Sequence, residues 1–249
     1  MGEGPEPGAV RAPRCLLLGS GEFEPWVGPV ELIALTGAAG DGSVVVLPTA
    51  SAPEGDATFN RWAELGLRHY SELGVSARVL DVRTRDDAQR SDHVAAVRAA
   101  SLVFFSGGNP EFLARTLERT LLWSGLLEAL HAGAVFAGCS AGAMVAGAAR
   151  QSGPSRGRFR FSGGLGLFPA DVFGVHWDSP FMRVLRPAFV RRVPTDCRLI
   201  GIAERTAILT AGVGWRVFGE GAVEVRDGLI RRTYRSGELI PEGPLADVP

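Results

Sequence analysis

The chain has 249 residues, a formal net charge of −1, 46% hydrophobic residues and 21% charged residues. This length suits one α/β domain or two small ones, and the composition is ordinary for a globular protein. The near-neutral charge excludes the strongly basic surface of nucleic-acid-binding proteins, and the absence of lysine excludes Schiff-base and phosphate-loop lysine chemistry.

The cysteines and the N-terminal residues bear on the compartment. Cys15, Cys139 and Cys197 show neither disulfide nor metal-ligand spacing. Residues 1–13 lack the apolar core of a signal peptide, and no apolar run approaches the roughly 20 residues of a membrane span. We therefore expect a cytoplasmic protein, monomeric or homodimeric, with no nucleic-acid or membrane partner, no cofactor and no metal ion.

Short apolar strands alternate with helices up to about residue 150. The pattern predicts strands at 15–18, 43–47, 77–80, 102–105 and 134–137. It predicts helices at 29–38, 57–73, 92–100 and, with breaks, 110–131. Because this alternation is typical of βαβ units, we predict an α/β fold, a three-layer sandwich around a mostly parallel sheet.

The remainder of the chain is richer in predicted strands. A polar loop is expected at 151–164, then a strand at 172–176 and a helix at 181–190. Further strands are predicted at 199–203, 207–210, 214–218, 222–225 and 229–234. Because no repeat or clear linker is visible, we predict a disordered tail at 1–13, a single α/β domain at 14–235 with a β-rich C-terminal part, and a C-terminal tail at 236–249.

The most informative motif runs from Gly138 to Gly142. It places Ser140 between two glycines, after an apolar strand and before a predicted helix at 141–149. A sharp strand-to-helix turn needs small flanking residues, because neighbouring backbone approaches both flanks closely. This is the context of a nucleophile elbow, which presents a serine hydroxyl beside free backbone N–H groups. A turn that merely packs would use the same residues, so the interpretation depends on the partners of Ser140.

A serine hydroxyl needs an adjacent base, and the chain has four histidines. His69, His93 and His131 fall in predicted helices, where structural roles are sufficient to explain them. His176 follows the apolar run 172–175 at the end of a strand. Catalytic groups of parallel α/β sheets collect at such strand ends, so His176 is the candidate base.

The imidazole in turn needs a carboxylate that holds it in one tautomer. Glu204 directly follows the apolar strand predicted at 199–203 and is the preferred candidate. Asp178, two residues after His176, is its competitor, because a tight turn would bring it back to the ring. The alternative interpretation of Glu204 is a solvated ion pair with Arg205.

The order of these residues along the chain argues against an esterase. Esterases of the α/β-hydrolase class run serine, acid, histidine. Here the only acid between Ser140 and His176 is Asp171, close in sequence to the histidine. The order serine, histidine, glutamate is therefore of a different kind.

A second glycine-containing turn, at 106–109, ends another predicted strand. Glycine allows backbone N–H groups to approach a ligand, so the amides of Gly108 and Ala141 are candidate donors of an oxyanion hole. We expect Gly107 and Asn109 to contact the substrate. By itself, the turn could simply begin a helix.

Taken together, these motifs resemble the serine peptidase family of cyanophycinase and dipeptidase E (α-aspartyl dipeptidase). The resemblance spans about residues 16–227 and rests on the segments 18–22, 48–51, 105–109, 138–143 and 201–207. It implies a class I glutamine-amidotransferase-like, flavodoxin-like sheet and a catalytic domain that cleaves peptide bonds. It also implies these roles: Ser140 as nucleophile, His176 as base, Gly108 and Ala141 at the oxyanion hole and, by the cyanophycinase-like pattern, Glu204 as acid.

The neighbourhood of His176 departs from the cyanophycinase-like pattern. That pattern has Asp-Gln before the histidine and closely spaced arginines after it, whereas here Gly174 and Val175 precede it and Arg183 and Arg186 follow at other spacings. We therefore expect a short peptide as substrate, hydrolysed in dipeptidase or exopeptidase fashion. Three loop arginines either bind a substrate carboxylate or are solvated: Arg156, Arg158 and Arg160.

Two other functions remain open. A glutamine-amidotransferase-like protein would act through Cys139, although this residue lies beside the centre of the elbow. A non-catalytic binding protein on the same fold would leave Ser140, His176 and Glu204 apart. A working pair needs Ser140 Oγ within roughly 3.5 Å of a ring nitrogen of His176.

Overall fold

The structure, a computed structural model, describes residues 13–151, 160–212, 214–243 and 245. The strands are β1 (Arg14–Leu18), β2 (Val44–Leu47), β3 (Ala77–Val79), β4 (Leu102–Phe105), β5 (Val135–Cys139), β6 (Ala149–Gln151), β7 (Phe161–Gly163), β8 (Asp171–Gly174), β9 (Arg198–Ile202), β10 (Thr206–Thr210), β11 (Gly214–Gly219), β12 (Ala222–Asp227), β13 (Ile230–Arg235) and β14 (Leu239–Pro241). The helices are α1 (Gly28–Leu35), α2 (Asp56–Glu72), α3 (Ser91–Ala99), α4 (Pro110–Leu117), α5 (Leu121–Ala132), α6 (Ala141–Val145) and α7 (Pro180–Val190). Most of the predicted N-terminal tail lies outside the described residues, as do Arg156 and Arg158.

The central sheet has eight strands in the order β14-β11-β10-β1-β5-β4-β2-β3. Neighbouring strands from β1 to β3 in this order are parallel, and β10, β11 and β14 add an antiparallel extension. The predicted α/β fold with a mostly parallel sheet is therefore confirmed. All the carboxyl ends of the parallel strands meet at one edge, where the functional residues collect.

Successive residues of the parallel strands alternate between two buried clusters. Leu17, Val45 and Phe105 pack with α3 to α6 on one face of the sheet. Leu16 and Phe104 pack with α1 and α2 on the other face. Full burial of each large apolar side chain contributes about 1.5–3 kcal/mol, so these two clusters fix the layers of the sandwich.

A second sheet, in the order β13-β12-β9-β8, forms much of the C-terminal part and confirms that this part is β-rich. Its inner residues Ile200 and Val223 join the cluster that contains Leu17. The ring of Trp177 packs on the sheet so closely that a Cβ on Gly201 would lie 2.4 Å from it. Glycine at this position therefore lets Trp177, and with it the adjacent His176, settle against the strands.

Some predicted boundaries were wrong because backbone partners elsewhere compete with the local pattern. The helix expected at 141–149 ends at Val145, because Ala148 N–H donates to the Asp171 carbonyl at 2.8 Å and the chain continues as β6. Part of the expected polar loop at 151–164 is strand, since β6 pairs with β7. The range 236–249, predicted as a tail, contains β14, whose Ile240 is fully buried opposite Trp215. No helix in the described part of the chain has the length and apolar character to cross a membrane.

Candidate active site

Ser140 lies at the turn between β5 and α6 in a strained backbone conformation. Its φ of 49° and ψ of −106° are values that residues with a side chain rarely adopt. A Cβ on Gly138 would lie 2.5 Å from the carbonyl carbon of Gly142, and a Cβ on Gly142 would lie 2.2 Å from the Phe105 oxygen. Both flanking positions therefore require glycine, which is the physical reason for the motif.

The structure brings Ser140, His176 and Glu204 into contact. Ser140 Oγ lies 3.1 Å from His176 Nε2. The other ring nitrogen, Nδ1, lies 3.2 Å from Glu204 Oε1. If Ser140 donates to Nε2, then Nδ1 carries the proton and donates to Glu204, which is the tautomer that a serine–histidine–acid triad requires. Both partners are open to solvent, with 40% of the His176 side chain and 47% of the Glu204 side chain exposed.

A strained turn after β8 presents His176. The predicted strand at 172–176 is wrong at its end: β8 stops at Gly174, and His176 has a φ of 50°. Trp177 N–H donates to the Ile202 carbonyl at 3.1 Å, and Ser179 N–H donates to the His176 carbonyl at 3.0 Å. These bonds turn the chain out of the sheet and towards the elbow.

Asp178 supports the loop of Glu204, and the carboxylate that hydrogen bonds to the ring of His176 is that of Glu204. Its Oδ1 accepts the backbone N–H of Glu204 at 2.7 Å. Arg205 pairs with Glu24 at 3.3 Å and Glu220 at 3.0 Å, so the alternative ion pair with Glu204 is not the one that forms. Of the two acids considered from sequence, Glu204 is the one beside the imidazole.

The other three histidines have structural surroundings. His69 is buried on α2 and hydrogen bonds through Nε2 to the buried Glu31 of α1. The Nδ1 atoms of His93 and His131 lie 2.9 and 2.7 Å from backbone carbonyls. Within the described residues, no cluster of three or more histidine, cysteine, aspartate or glutamate side chains could hold a metal ion.

Asp171, the acid in the esterase order, belongs to a buried ion pair. Its oxygens accept from Nε of Arg198 at 2.8 Å and from Nη2 of the same side chain at 3.2 Å. Arg198 also donates to the carbonyls of Pro241 and Gly243, at 2.8 and 2.6 Å. The pair ties the start of β9 to the end of β14, and it occupies Asp171 fully.

Replacing Asp171 with alanine is expected to lower the free energy of unfolding by about 3–5 kcal/mol, because it leaves the buried Arg198 guanidinium without its counter-charge. Denaturant unfolding measures this, with the exposed Asp196→Ala as control, for which we expect little change. Activity per folded molecule should stay within about twofold. A variant of unchanged stability that loses activity would contradict this assignment and return Asp171 to the site.

The glycine turn after β4 lies directly beside the elbow. A Cβ on Gly107 would lie 4.0 Å from Ser140 Oγ. Gly108 has a φ of 138°, and a Cβ there would lie 2.4 Å from the Ala50 carbonyl group, so only glycine fits. Asn109 caps α4, since its Oδ1 accepts Phe112 N–H at 3.0 Å.

One of the groups in this turn that is predicted to contact the substrate already has a partner within the protein. The N–H of Gly107 already donates to Glu22 Oε1 at 3.0 Å, so it is engaged within the protein. Gly108 is exposed and directly follows Gly107, and Ala141 directly follows Ser140 at the start of α6. Oxyanion donation by Gly108 and Ala141, and substrate contacts of Gly107 and Asn109, stay predictions. Arg160 is exposed.

Glu22, in the segment 18–22 that follows β1, has no role that the sequence alone predicted. Its second oxygen, Oε2, accepts from Cys139 Sγ at 2.8 Å. Burial and the Glu22 carboxylate raise the pKa of the Cys139 thiol well above its ordinary value, so the thiol keeps its proton. Its position shortly after a strand is the feature that could have identified Glu22 as a site residue, as it identified His176 and Glu204.

Comparison with known proteins decides the family. The model of the Peptidase family S51 matches residues 15–217, which is most of the chain. The chain belongs to this peptidase family. The S51 chain is 28% identical over 215 residues to a cyanophycinase of Geminocystis herdmanii, a match that covers 83% of this chain and 77% of that protein.

Two solved structures of peptidases superpose on this chain. The crystal structure of a peptidase from an acI-B1 Actinobacterium superposes on this S51 chain with a TM-score of 0.85 at 31% identity, covering 92% of this chain and 97% of the other. A putative peptidase E from Listeria monocytogenes superposes with a TM-score of 0.61 at 20% identity, covering 84% and 99%. The second likeness is evidence of a shared fold alone. Membership of the family makes the protein a peptidase and therefore a hydrolase.

Proposed function

We propose that the protein is a serine peptidase that hydrolyses the peptide bonds of short peptides through an acyl-enzyme on Ser140. One observation carries the proposal: Ser140 Oγ lies 3.1 Å from His176 Nε2, and His176 Nδ1 lies 3.2 Å from Glu204 Oε1. Nucleophile, base and orienting acid thus form one connected chain.

In the proposed mechanism, His176 Nε2 takes the proton of Ser140 Oγ as this oxygen attacks the carbonyl carbon of the scissile bond. The N–H groups of Gly108 and Ala141 donate to the oxyanion that develops. Glu204 stabilises the imidazolium that forms. His176 then protonates the leaving amine, and water, deprotonated by His176, hydrolyses the ester on Ser140.

The choice of short peptides rests on the surroundings of His176. Gly174 and Val175 replace the Asp-Gln of the cyanophycinase-like pattern, so a cyanophycin polymer is not the substrate proposed here. The site is also open, because both His176 and Glu204 are partly exposed. An open site admits a short peptide, on which we propose dipeptidase or exopeptidase action.

A dipeptide library tests this substrate class directly. It should include aspartyl and isoaspartyl dipeptides, each with a free and an acetylated amino terminus, and the release of amino acids should be measured. We expect turnover of some dipeptides with a free amino terminus and much weaker turnover of their acetylated copies. Preferential cleavage of long or internally blocked peptides would contradict exopeptidase action and leave the serine mechanism standing.

The amidotransferase-like alternative through Cys139 finds no specific support. Cys139 is fully buried, its thiol donates to Glu22, and the raised pKa keeps it protonated. The imidazole of His176 contacts Ser140. A separate activity that Cys139→Ser removed and Ser140→Ala left intact would reverse this conclusion.

Substitution of the two neighbouring acids should separate their roles. Glu204→Gln is expected to lower kcat about 10²- to 10³-fold, because the amide no longer stabilises the imidazolium; this is below the ~10⁴-fold of a buried triad acid because solvent screens an exposed carboxylate. Asp178→Asn should cost less than about fivefold, since its Oδ1 can still accept the Glu204 N–H. Steady-state kinetics measure both, and the reverse order of effects would make Asp178 the acid.

A further inference from the structure

Backbone strain marks a fourth position at this site. Five described residues that are not glycine have a positive φ. Three of them are Ser140, His176 and Arg205, the residue after the candidate acid, at 49°, 50° and 48°, and a fourth, Arg119, follows α4 at 56°. Phe23 shares this feature, with a φ of 62°, and it directly follows Glu22. Such strain costs free energy and concentrates at functional sites. Glu22, like Ser140, His176 and Glu204, therefore lies at or directly next to a residue with a strained backbone.

Aromatic packing holds the strained residue in place. The ring of Phe23 lies 4.8 Å from that of Phe104 and 6.2 Å from that of Tyr70, centroid to centroid. It also contacts Trp62 and His69 on α2. With Phe23 anchored on this face of the sheet, the turn that carries Glu22 has little freedom to move.

The carboxylate of Glu22 joins the ends of two adjacent strands. Oε1 accepts from Gly107 N–H at 3.0 Å, just after β4. Oε2 accepts from Cys139 Sγ at 2.8 Å, at the last residue of β5. Each of these partners precedes a residue of the proposed machinery, Gly108 in one case and Ser140 in the other.

The orientation of the Gly108 amide is fixed from both sides. On one side Glu22 holds the N–H of Gly107. On the other side Asn109 N–H donates to the Ala50 carbonyl at 2.7 Å. Without the first bond, the peptide that carries the Gly108 N–H can rotate, and glycine offers little resistance to rotation.

We propose that Glu22 is a positioning residue, which sets the Gly108 amide against Ser140 by linking the glycine turn to the elbow. This inference rests on the proposed function, because it concerns the oxyanion hole of the same reaction. Glu22 does not touch the substrate. Its effect is on the transition state, since oxyanion donors act only when their geometry is set in advance.

The test compares Glu22→Ala, Glu22→Gln and, as a matched control, the exposed carboxylate substitution Glu64→Ala on α2. Loss of one oxyanion donor typically costs 10²–10³ in rate, and a misaligned donor should cost less. We expect Glu22→Ala to lower kcat and the rate of labelling by a fluorophosphonate about 10- to 100-fold, with KM within about threefold. Glu22→Gln should recover to within about fivefold of the wild type, because its amide oxygen still accepts from Gly107.

A second measurement does not depend on activity. Amide hydrogen exchange at Gly107 should be slow in the wild type and in Glu22→Gln, and much faster in Glu22→Ala. Wild-type labelling rates in Glu22→Ala, or a Glu22→Gln variant as slow as Glu22→Ala, would overturn the proposal. A change in KM and thermal stability alone, with kcat unaltered, would also overturn it.

Failure of the proposed function has a different signature. A wild-type protein that is not labelled at Ser140, yet shows the expected exchange pattern at Gly107, refutes the serine mechanism and retains the link made by Glu22. A wild-type protein that is labelled at Ser140, with Glu22→Ala labelled equally fast, refutes the role of Glu22 alone.

Discussion

Ser140→Ala is expected to abolish fluorophosphonate labelling and to lower kcat for peptide hydrolysis by about 10⁴- to 10⁶-fold. In the proposed mechanism the hydroxyl oxygen forms the acyl-enzyme, and alanine supplies no nucleophile in its place. KM should change little, because substrate binding before attack does not need this bond. Alanine at a φ of 49° is strained much as serine is, so thermal stability should stay close to that of the wild type.

A serine distant from the elbow provides the matched control for this experiment. Ser124 lies on α5, where its Oγ donates to the Thr120 carbonyl at 3.2 Å. Ser124→Ala should be labelled and should hydrolyse peptides at wild-type rates. Intact-protein mass spectrometry after labelling gives the answer. Labelling that persists in Ser140→Ala would refute the assignment of the nucleophile.

His176→Ala should lower kcat about as much as Ser140→Ala, because the serine hydroxyl then has no base and the leaving amine has no acid. The two substitutions should not be additive: residues that act as a unit lose the same step, so the double variant should be no slower than either single variant. Steady-state kinetics on all three proteins measure this. Additive losses would mean that His176 and Ser140 act in separate steps.

His131→Ala is the control for the histidine experiment. This residue is exposed near the end of α5, and its Nδ1 lies 2.7 Å from the Leu127 carbonyl. We expect no more than about a twofold change in kcat from its removal. A His176→Ala variant that keeps more than about a tenth of the wild-type rate would show that another group deprotonates Ser140.

Local patterns in the sequence predicted most of the fold. The alternation of short apolar strands with helices predicted the parallel part of the central sheet, because strand and helix periodicity are properties of neighbouring residues. Element ends were less accurate. The helix after Ser140 ends early because Ala148 finds a backbone partner in Asp171, on a strand that no local pattern connects with it. The edge strand β14 is only three residues long, too short to have a period, and the burial of Ile240 against Trp215 is what forms it.

The same distinction between local and distant contacts separates the site residues that could be predicted from those that could not. Ser140 could be identified because its flanking glycines report a steric requirement within five residues. His176 and Glu204 could be proposed because each follows a strand of a predicted sheet. The choice between Glu204 and Asp178 could not be made in this way, since both acids are compatible with a turn near the imidazole. The structure separates them: one lies beside the ring, and the other accepts the backbone N–H of Glu204.

By itself, the sequence determined that Ser140 lies between glycines on a strand-to-helix turn of an α/β sheet, and it offered His176, Glu204 and Asp178 as candidate partners near strand ends. The tertiary structure decided which acid meets the imidazole, that Asp171 serves the fold, and that Glu22 connects the glycine turn to the elbow. The physical reason is sequence distance. Glu22 contacts Gly107 and Cys139 across 85 and 117 residues, and only the order of strands in the sheet brings such groups within hydrogen-bonding distance.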